Sequence, residues 1–153
     1  MLRQDQAEQK TALVVDDDPW LRVALAAILA EAGYRVSVAS NGFTGLRMAR
    51  ALMPHVVLLD LVLPEVSGQV VLRELRHHPV TCHVPVILML PSVCAATPAD
   101  LLEADGVLRA PVRRIELLAE VHTVTRSRSA EPRPAFTEHI MISNTRAPVL
   151  VAH

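Results

Sequence analysis

The chain has 153 residues, a formal net charge of −1 and a mean hydropathy of +0.31, with 51% of its residues apolar. This length predicts one domain with a large apolar core. The near-neutral charge gives no electrostatic basis for direct binding of nucleic acid or an acidic membrane surface. No apolar run approaches the roughly 18 residues that a membrane span requires.

The first ten residues, MLRQDQAEQK, are polar and do not resemble a secretory signal peptide. The two cysteines, Cys82 and Cys94, are too few for a disulfide framework. We therefore expect a cytoplasmic protein with reduced thiols and no membrane contact.

Short apolar runs alternate with helical patterns from residue 11 to about residue 126. Several runs are apolar at successive positions, which is typical of strands buried on both faces. The runs are TALVV, RVSVA, HVVLLD, VPVILML and DGVLR. They predict five strands.

The segments between these runs have helical spacing. In the first, Asp18 can cap the helix, Pro19 suits its first position, and Gly33 can end it. We expect Trp20 to be a packing residue beside an apolar stripe made of Leu21, Ala24, Leu25, Ile28 and Leu29. Further helices are predicted at residues 43–53, 69–77, 98–104 and 113–126. In the last, the predicted apolar face holds Ile115, Leu118, Val121 and Val124.

Five consecutive β–α units predict an α/β fold, in which a parallel sheet carries helices on both faces. The compact arrangement is a doubly wound, flavodoxin-like sheet of order 2-1-3-4-5, and its strands 1 and 3 are neighbours at the switch point. We divide the chain into an N-terminal extension (1–10), a domain (11–126) and a tail (127–153). For the tail we expect disorder or weak structure, and a small hairpin around residues 144–145 is the alternative.

Acidic residues end both strands at the predicted switch point. Asp16, Asp17 and Asp18 follow strand 1, and Asp60 ends strand 3. Two carboxylates about 4 Å apart repel by roughly 4 kcal/mol at an effective dielectric near 20. Such a cluster must take up protons or bind a cation, and oxygen ligands suit Mg²⁺ or Mn²⁺ better than zinc. We assign Asp18 to helix capping.

The motifs VVDDDP, LLDLVLPEVSG and VLRAPV resemble those of the receiver domain of two-component response regulators. The resemblance implies that Asp60 is the phospho-acceptor and that Asp16, Asp17, Asp60 and the backbone carbonyl of Val62 bind the metal. Pro64 and Gly68 would shape the following loop. It also implies signalling through protein contacts, and not conventional enzyme activity. The partners would be a sensor histidine kinase or phosphotransfer protein and an unidentified downstream protein.

Two positions depart from the family pattern. Where receivers carry Thr or Ser after strand 4, this chain has Leu90 or Pro91, and Ala110 replaces the lysine that precedes a proline after strand 5. The only lysine, Lys10, precedes strand 1 and is expected at the opposite end of the sheet. Possible substitutes as phosphate contacts are Ser92 and Arg109, although solvated side chains are the simpler interpretation.

The aromatic residue that receivers usually carry in strand 5 is also replaced, by Val107, so the chain lacks both residues that usually relay phosphorylation to the surface. Two hypotheses follow: a stand-alone receiver phosphorylated on Asp60, and a pseudo-receiver that acts as a phosphorylation-independent interaction module. An aspartate-nucleophile phosphohydrolase is disfavoured because Val62 stands where such enzymes carry a second acid. The residues His77, His78, Cys82 and His83 fit no standard zinc spacing and are expected to lie in a loop.

Overall fold

The computed structural model describes residues 9–93 and 98–129. Five strands and five helices alternate along this part of the chain. The strands are β1 (Thr11–Val15), β2 (Arg35–Ala39), β3 (Val56–Asp60), β4 (Val86–Leu90) and β5 (Gly106–Arg109). The helices are α1 (Pro19–Glu31), α2 (Gly42–Leu52), α3 (Gly68–His77), α4 (Pro98–Glu103) and α5 (Arg114–Ser129).

The strands form one parallel sheet of order β2-β1-β3-β4-β5. The predicted fold and strand order are therefore confirmed. In the pairing of β1 with β3, Val15 lies opposite Leu59, so the residues that follow them, Asp16 and Asp60, come to the same edge of the sheet. We call this the carboxyl edge and the opposite one the amino edge.

Alternating side chains of the central strands enter two separate apolar layers, as the period of two in an extended chain requires. One layer packs Leu13, Leu59 and Leu88 against α2 and α3. The other packs Val14 and Leu58 against α1 and α5. Burial on both faces explains why the strand sequences are continuously apolar.

Side-chain caps fix where three helices begin. The Asp18 carboxylate accepts from the backbone N–H of Trp20 at 2.9 Å, which confirms its predicted capping role. Asn41 and Ser67 cap α2 and α3 in the same way. Gly33, with φ of +96°, follows the end of α1, as predicted.

The predicted packing of α1 and α5 was wrong at particular positions. Trp20 is 84% exposed and is not a packing residue, and Ala24 is also exposed. On α5, Ile115 is 81% exposed, whereas Leu117 is fully buried. Both helices offer more apolar residues than one face can bury, so the position of the sheet decides which of them face it.

At the amino edge, α5 continues three residues past its predicted end and enters an ion cluster. We call Arg76, Asp105 and Arg128 the Asp105 cluster. The two oxygens of Asp105 contact the guanidinium groups of Arg76 and Arg128, the latter at 2.7 Å, and also accept the N–H of Val86 at 2.8 Å. The cluster joins α3, β4 and α5. The hairpin predicted around residues 144–145 lies outside the described residues.

Candidate functional site

The acidic residues predicted at the switch point do come together. Ligand-capable oxygens of Asp16, Asp17 and Asp60 all lie within 4.8 Å of one another. Asp16 is buried, Asp60 is half-buried and Asp17 is exposed. The cluster therefore opens to solvent on one side and rests on the sheet on the other.

Hydrogen bonds fix the backbone of the acidic loop after β1. Oδ1 of Asp16 accepts the N–H of Asp18 at 2.8 Å, and its own N–H donates to the carbonyl of Ala39 at 3.1 Å. Arg22, one turn into α1, donates from a guanidinium nitrogen to the carbonyl of Asp16 at 2.8 Å. Asp16 and Asp18 are thus held by hydrogen bonds to α1, to Arg22 and to the last residue of β2.

The electrostatics of the cluster favour protons or a cation. Burial, followed by repulsion from the three neighbouring aspartates, raises the pKa of Asp60 to about 6, against a partial lowering by the N–H of Val62. The pKa of Asp16 is also raised, mainly by burial. Ionisation of both groups therefore costs more free energy than it does in a solvated aspartate, unless positive charge is added.

The donor set fits a hard divalent cation. Oδ2 of Asp16 is buried, and no described residue donates a hydrogen bond to it. A buried carboxylate oxygen without a partner costs free energy, which a bound ion would recover. All side-chain ligands are oxygens, as Mg²⁺ requires.

The loop after β3 packs closely on the acceptor strand. Oδ1 of Asp60 accepts the N–H of Val62 at 3.0 Å, and the N–H of Gly68 donates to the carbonyl of Leu61 at 2.9 Å. A Cβ atom at residue 68 would lie 2.2 Å from the carbonyl oxygen of Asp60, so only glycine fits there. Val62 borders the site, and its carbonyl as a metal ligand stays a prediction.

A surface cavity of about 280 Å³ lies over the cluster. Acids form one side, and apolar groups form the other. The apolar residues are Leu21, Val62, Met89, Leu90, Pro91, Ala110 and Val112. No hydroxyl or amine among the described residues enters this wall.

Neither predicted phosphate contact lines the cavity. Ser92 and Arg109 are both exposed, and their role stays a prediction. Ala110, which follows Arg109, does line it and donates its N–H to the carbonyl of Leu90 at 2.8 Å. Lys10 lies at the amino edge, where its carbonyl accepts the N–H of Arg35 at 2.8 Å, so it is far from the cavity.

Within the described ranges, the aspartate trio is the only group of three or more residues suited to bind a metal. The cluster His77, His78, Cys82 and His83 therefore does not form such a group, although Cys82 Sγ lies 3.3 Å from Nδ1 of His83. Cys94 is outside these ranges. Arg22 was missed by the sequence reasoning, and its place six residues after Asp16 on a helix was the available signal.

The family model for the response regulator receiver domain matches residues 12–122. The DNA-binding dual master transcriptional regulator RpaA of Synechocystis is 32% identical over 134 residues, which cover 84% of this chain and 54% of that protein. The response regulator PleD of Caulobacter vibrioides is 37% identical over 117 residues, 74% of this chain and 26% of PleD. The chain therefore spans about half or less of these relatives.

Solved structures show the same architecture. A response regulator receiver domain protein from Clostridium thermocellum superposes with a TM-score of 0.72 at 26% identity, covering 79% of this chain and 98% of that chain. The receiver domain of a sensor histidine kinase from Pseudomonas aeruginosa superposes with a TM-score of 0.70 at 25% identity, covering 76% and 98%. That structure holds a magnesium ion coordinated in its active-site cleft.

None of the described helices has both the length and the apolar character needed to cross a membrane. The family model matches well over half of the chain, and the architecture agrees with it. With its aspartates gathered at the carboxyl edge of a five-stranded parallel sheet, the chain belongs to the response regulator receiver domain family of two-component systems.

Proposed function

We propose that this receiver domain is phosphorylated on Asp60, with Mg²⁺ held by Asp16, Asp17, Asp60 and the carbonyl of Val62. The observation that carries the proposal is the convergence of three carboxylates within 4.8 Å. Oδ2 of Asp16 is buried and accepts no hydrogen bond from a described residue, which supports the binding of a metal ion there. Mg²⁺ is preferred over Mn²⁺ because the related kinase receiver was solved with magnesium.

In this proposal the Asp60 carboxylate is the nucleophile. Its oxygen forms a bond to the phosphorus of the donor, the bond to the leaving group breaks, and the electron pair departs with that group. Bound Mg²⁺ supplies positive charge against the phosphoryl oxygens. Asp60 must be ionised, and with a pKa of about 6 it is ionised at neutral pH.

The proposed phosphodonor is a sensor histidine kinase or a phosphotransfer protein, and the output is a contact with an unidentified downstream protein in the cytoplasm. Two relatives are named as DNA-binding regulators, but this chain matches about half of their length. The net charge of −1 gives no basis for direct nucleic-acid binding. We therefore assign the chain a protein partner.

Intact-protein mass spectrometry after incubation with Mg²⁺ and acetyl phosphate tests this function. We expect one phosphoryl adduct on the wild type and none on Asp60→Asn or on the wild type in EDTA. An adduct that persists in Asp60→Asn would place the acceptor elsewhere. A folded wild type that binds Mg²⁺ but takes up no phosphoryl group would contradict the phosphorylation step.

The apolar cavity wall favours a second candidate, a pseudo-receiver that acts without phosphate. Leu90, Pro91 and Ala110 offer neither a hydroxyl nor an ammonium group to a phosphoryl oxygen. Such a charge-assisted bond contributes about 1.5–3 kcal/mol, so we expect Ala110→Lys to raise the phosphorylation rate by one to two orders of magnitude. If Ala110→Lys folds and still takes up no phosphoryl group, the pseudo-receiver is the better description.

A further inference from the structure

Arg22 is the basic side chain in direct contact with the acidic loop. It is half-buried on α1, and its guanidinium donates to the carbonyl oxygen of Asp16 at 2.8 Å. It does not line the cavity, so it is not placed to touch a phosphoryl group.

Asp16 is held at three points. Its N–H donates to Ala39, its Oδ1 accepts from the N–H of Asp18, and its carbonyl accepts from Arg22. The remaining polar atom, Oδ2, has no donor among the described residues. The contact with Arg22 is the only one of the three that a side-chain substitution can remove without altering Asp16 itself.

We propose that Arg22 is a positioning residue of the metal site. By fixing the backbone of Asp16, it holds the buried carboxylate against Asp17 and Asp60, so that the three can bind one ion. This inference rests on the proposed Mg²⁺ binding, but it does not require phosphorylation.

The charge of Arg22 and its hydrogen bond to Asp16 predict opposite effects of its removal on Mg²⁺ affinity. The guanidinium is positive and repels a cation, so its removal strengthens Mg²⁺ binding if only charge matters. If Arg22 positions Asp16, its removal weakens binding, because residues that orient metal ligands typically contribute about 10–100-fold to affinity. The sign of the change distinguishes the two.

Calorimetric Mg²⁺ titration of the full chain tests the proposal, with the wild type, Arg22→Met, Arg22→Lys and the control Arg73→Met. Arg73 is exposed on α3, so its substitution makes the same charge change outside the site. We expect the Kd of Arg22→Met to rise about tenfold, the Kd of Arg22→Lys to rise less, and the control to match the wild type. At about 0.5 M KCl, where exposed charges are screened, the loss in Arg22→Met should persist.

Each outcome separates this inference from the proposed function. If the wild type binds Mg²⁺ and Arg22→Met binds it equally well or more tightly, the positioning role is overturned and the proposed function stands. If the wild type does not bind Mg²⁺, both fail. Urea unfolding of each variant shows whether it is folded. If Arg22→Met does not fold, Arg22→Gln, which also lacks the guanidinium, carries the test, and an unchanged Kd in that variant overturns the proposal.

Discussion

The two edges of the sheet surround an aspartate with opposite kinds of charge. At the amino edge, Asp105 contacts two arginines and accepts a backbone N–H, so both of its oxygens are satisfied. At the carboxyl edge, Asp16 is more deeply buried and faces two other carboxylates, and one of its oxygens lacks a donor among the described residues.

This difference separates a stabilising site from a binding site. In the Asp105 cluster the carboxylate is paired with two guanidinium groups, and the cluster joins three elements of the fold. The aspartate trio leaves negative charge uncompensated, which destabilises the metal-free protein and provides the free energy for cation binding. Substitutions at the two edges test this contrast, beginning with the one expected to change stability most.

Replacement of Asp105 should have the largest effect on stability. In Asp105→Asn two guanidinium groups lose their counter-charge at a site where the Arg76 side chain is only 12% exposed. We expect a loss of about 3 kcal/mol in the free energy of unfolding, as for other broken buried ion pairs. Urea denaturation measures it.

Glu31→Gln is the matched control, because its partner Arg114 is more than half exposed. Exposed ion pairs contribute about 0–1 kcal/mol to stability, so the free energy of unfolding should change little in Glu31→Gln. Equal losses in both variants would contradict the structural role given to the Asp105 cluster.

Removing an acid at the carboxyl edge should instead stabilise the metal-free protein. Asp60→Asn relieves like-charge repulsion, so in EDTA at pH 7 we expect it to be more stable than the wild type by about 1 kcal/mol after allowance for solvent screening. Excess Mg²⁺ should reverse the order, because only the wild type retains the full ligand set. If Asp60→Asn is less stable than the wild type in EDTA, repulsion between the carboxylates does not destabilise the metal-free protein.

The same carboxylate should give a pH dependence. The folded, metal-free protein holds a proton on Asp60 up to a pKa of about 6, whereas the usual value is 3.8. The contribution of Asp60 to stability is therefore present below pH 3.8 and is lost as the pH rises through 6. We expect the difference in unfolding free energy between Asp60→Asn and the wild type to be near zero at pH 4 and to grow up to pH 7. A pH-independent difference would contradict the raised pKa.

The smallest predicted effect concerns the end of α5. The Arg128 side chain is 28% exposed, and its loss leaves Asp105 still paired with Arg76. Arg128→Gln should lower the free energy of unfolding by about 0.5–1 kcal/mol. Arg126→Gln, at an exposed position nearby, should lower it less. Thermal unfolding compares the two variants. Identical midpoints would mean that Arg128 does not anchor the helix.

Much of the site was predictable from sequence because it depends on strand ends. Apolar runs located β1 and β3, the strand order made them neighbours, and the residues after them had to meet at one edge. Arg22 and the Asp105 cluster were not predictable in this way, because long flexible side chains can reach several partners. The exposure of Trp20 and Ile115 was missed because helical spacing identifies apolar residues, but not which of them the sheet covers.

The strands, the sheet order and the acids at the carboxyl edge could be read from the order of residues alone, since local hydrophobic patterns and the geometry of parallel connections specify them. Three features depend on the folded chain. Oδ2 of Asp16 is buried with no donor among the described residues, Leu117 and not Ile115 enters the core, and both oxygens of Asp105 are paired. Burial and charge pairing depend on contacts between residues far apart in the chain, and those contacts exist only after folding.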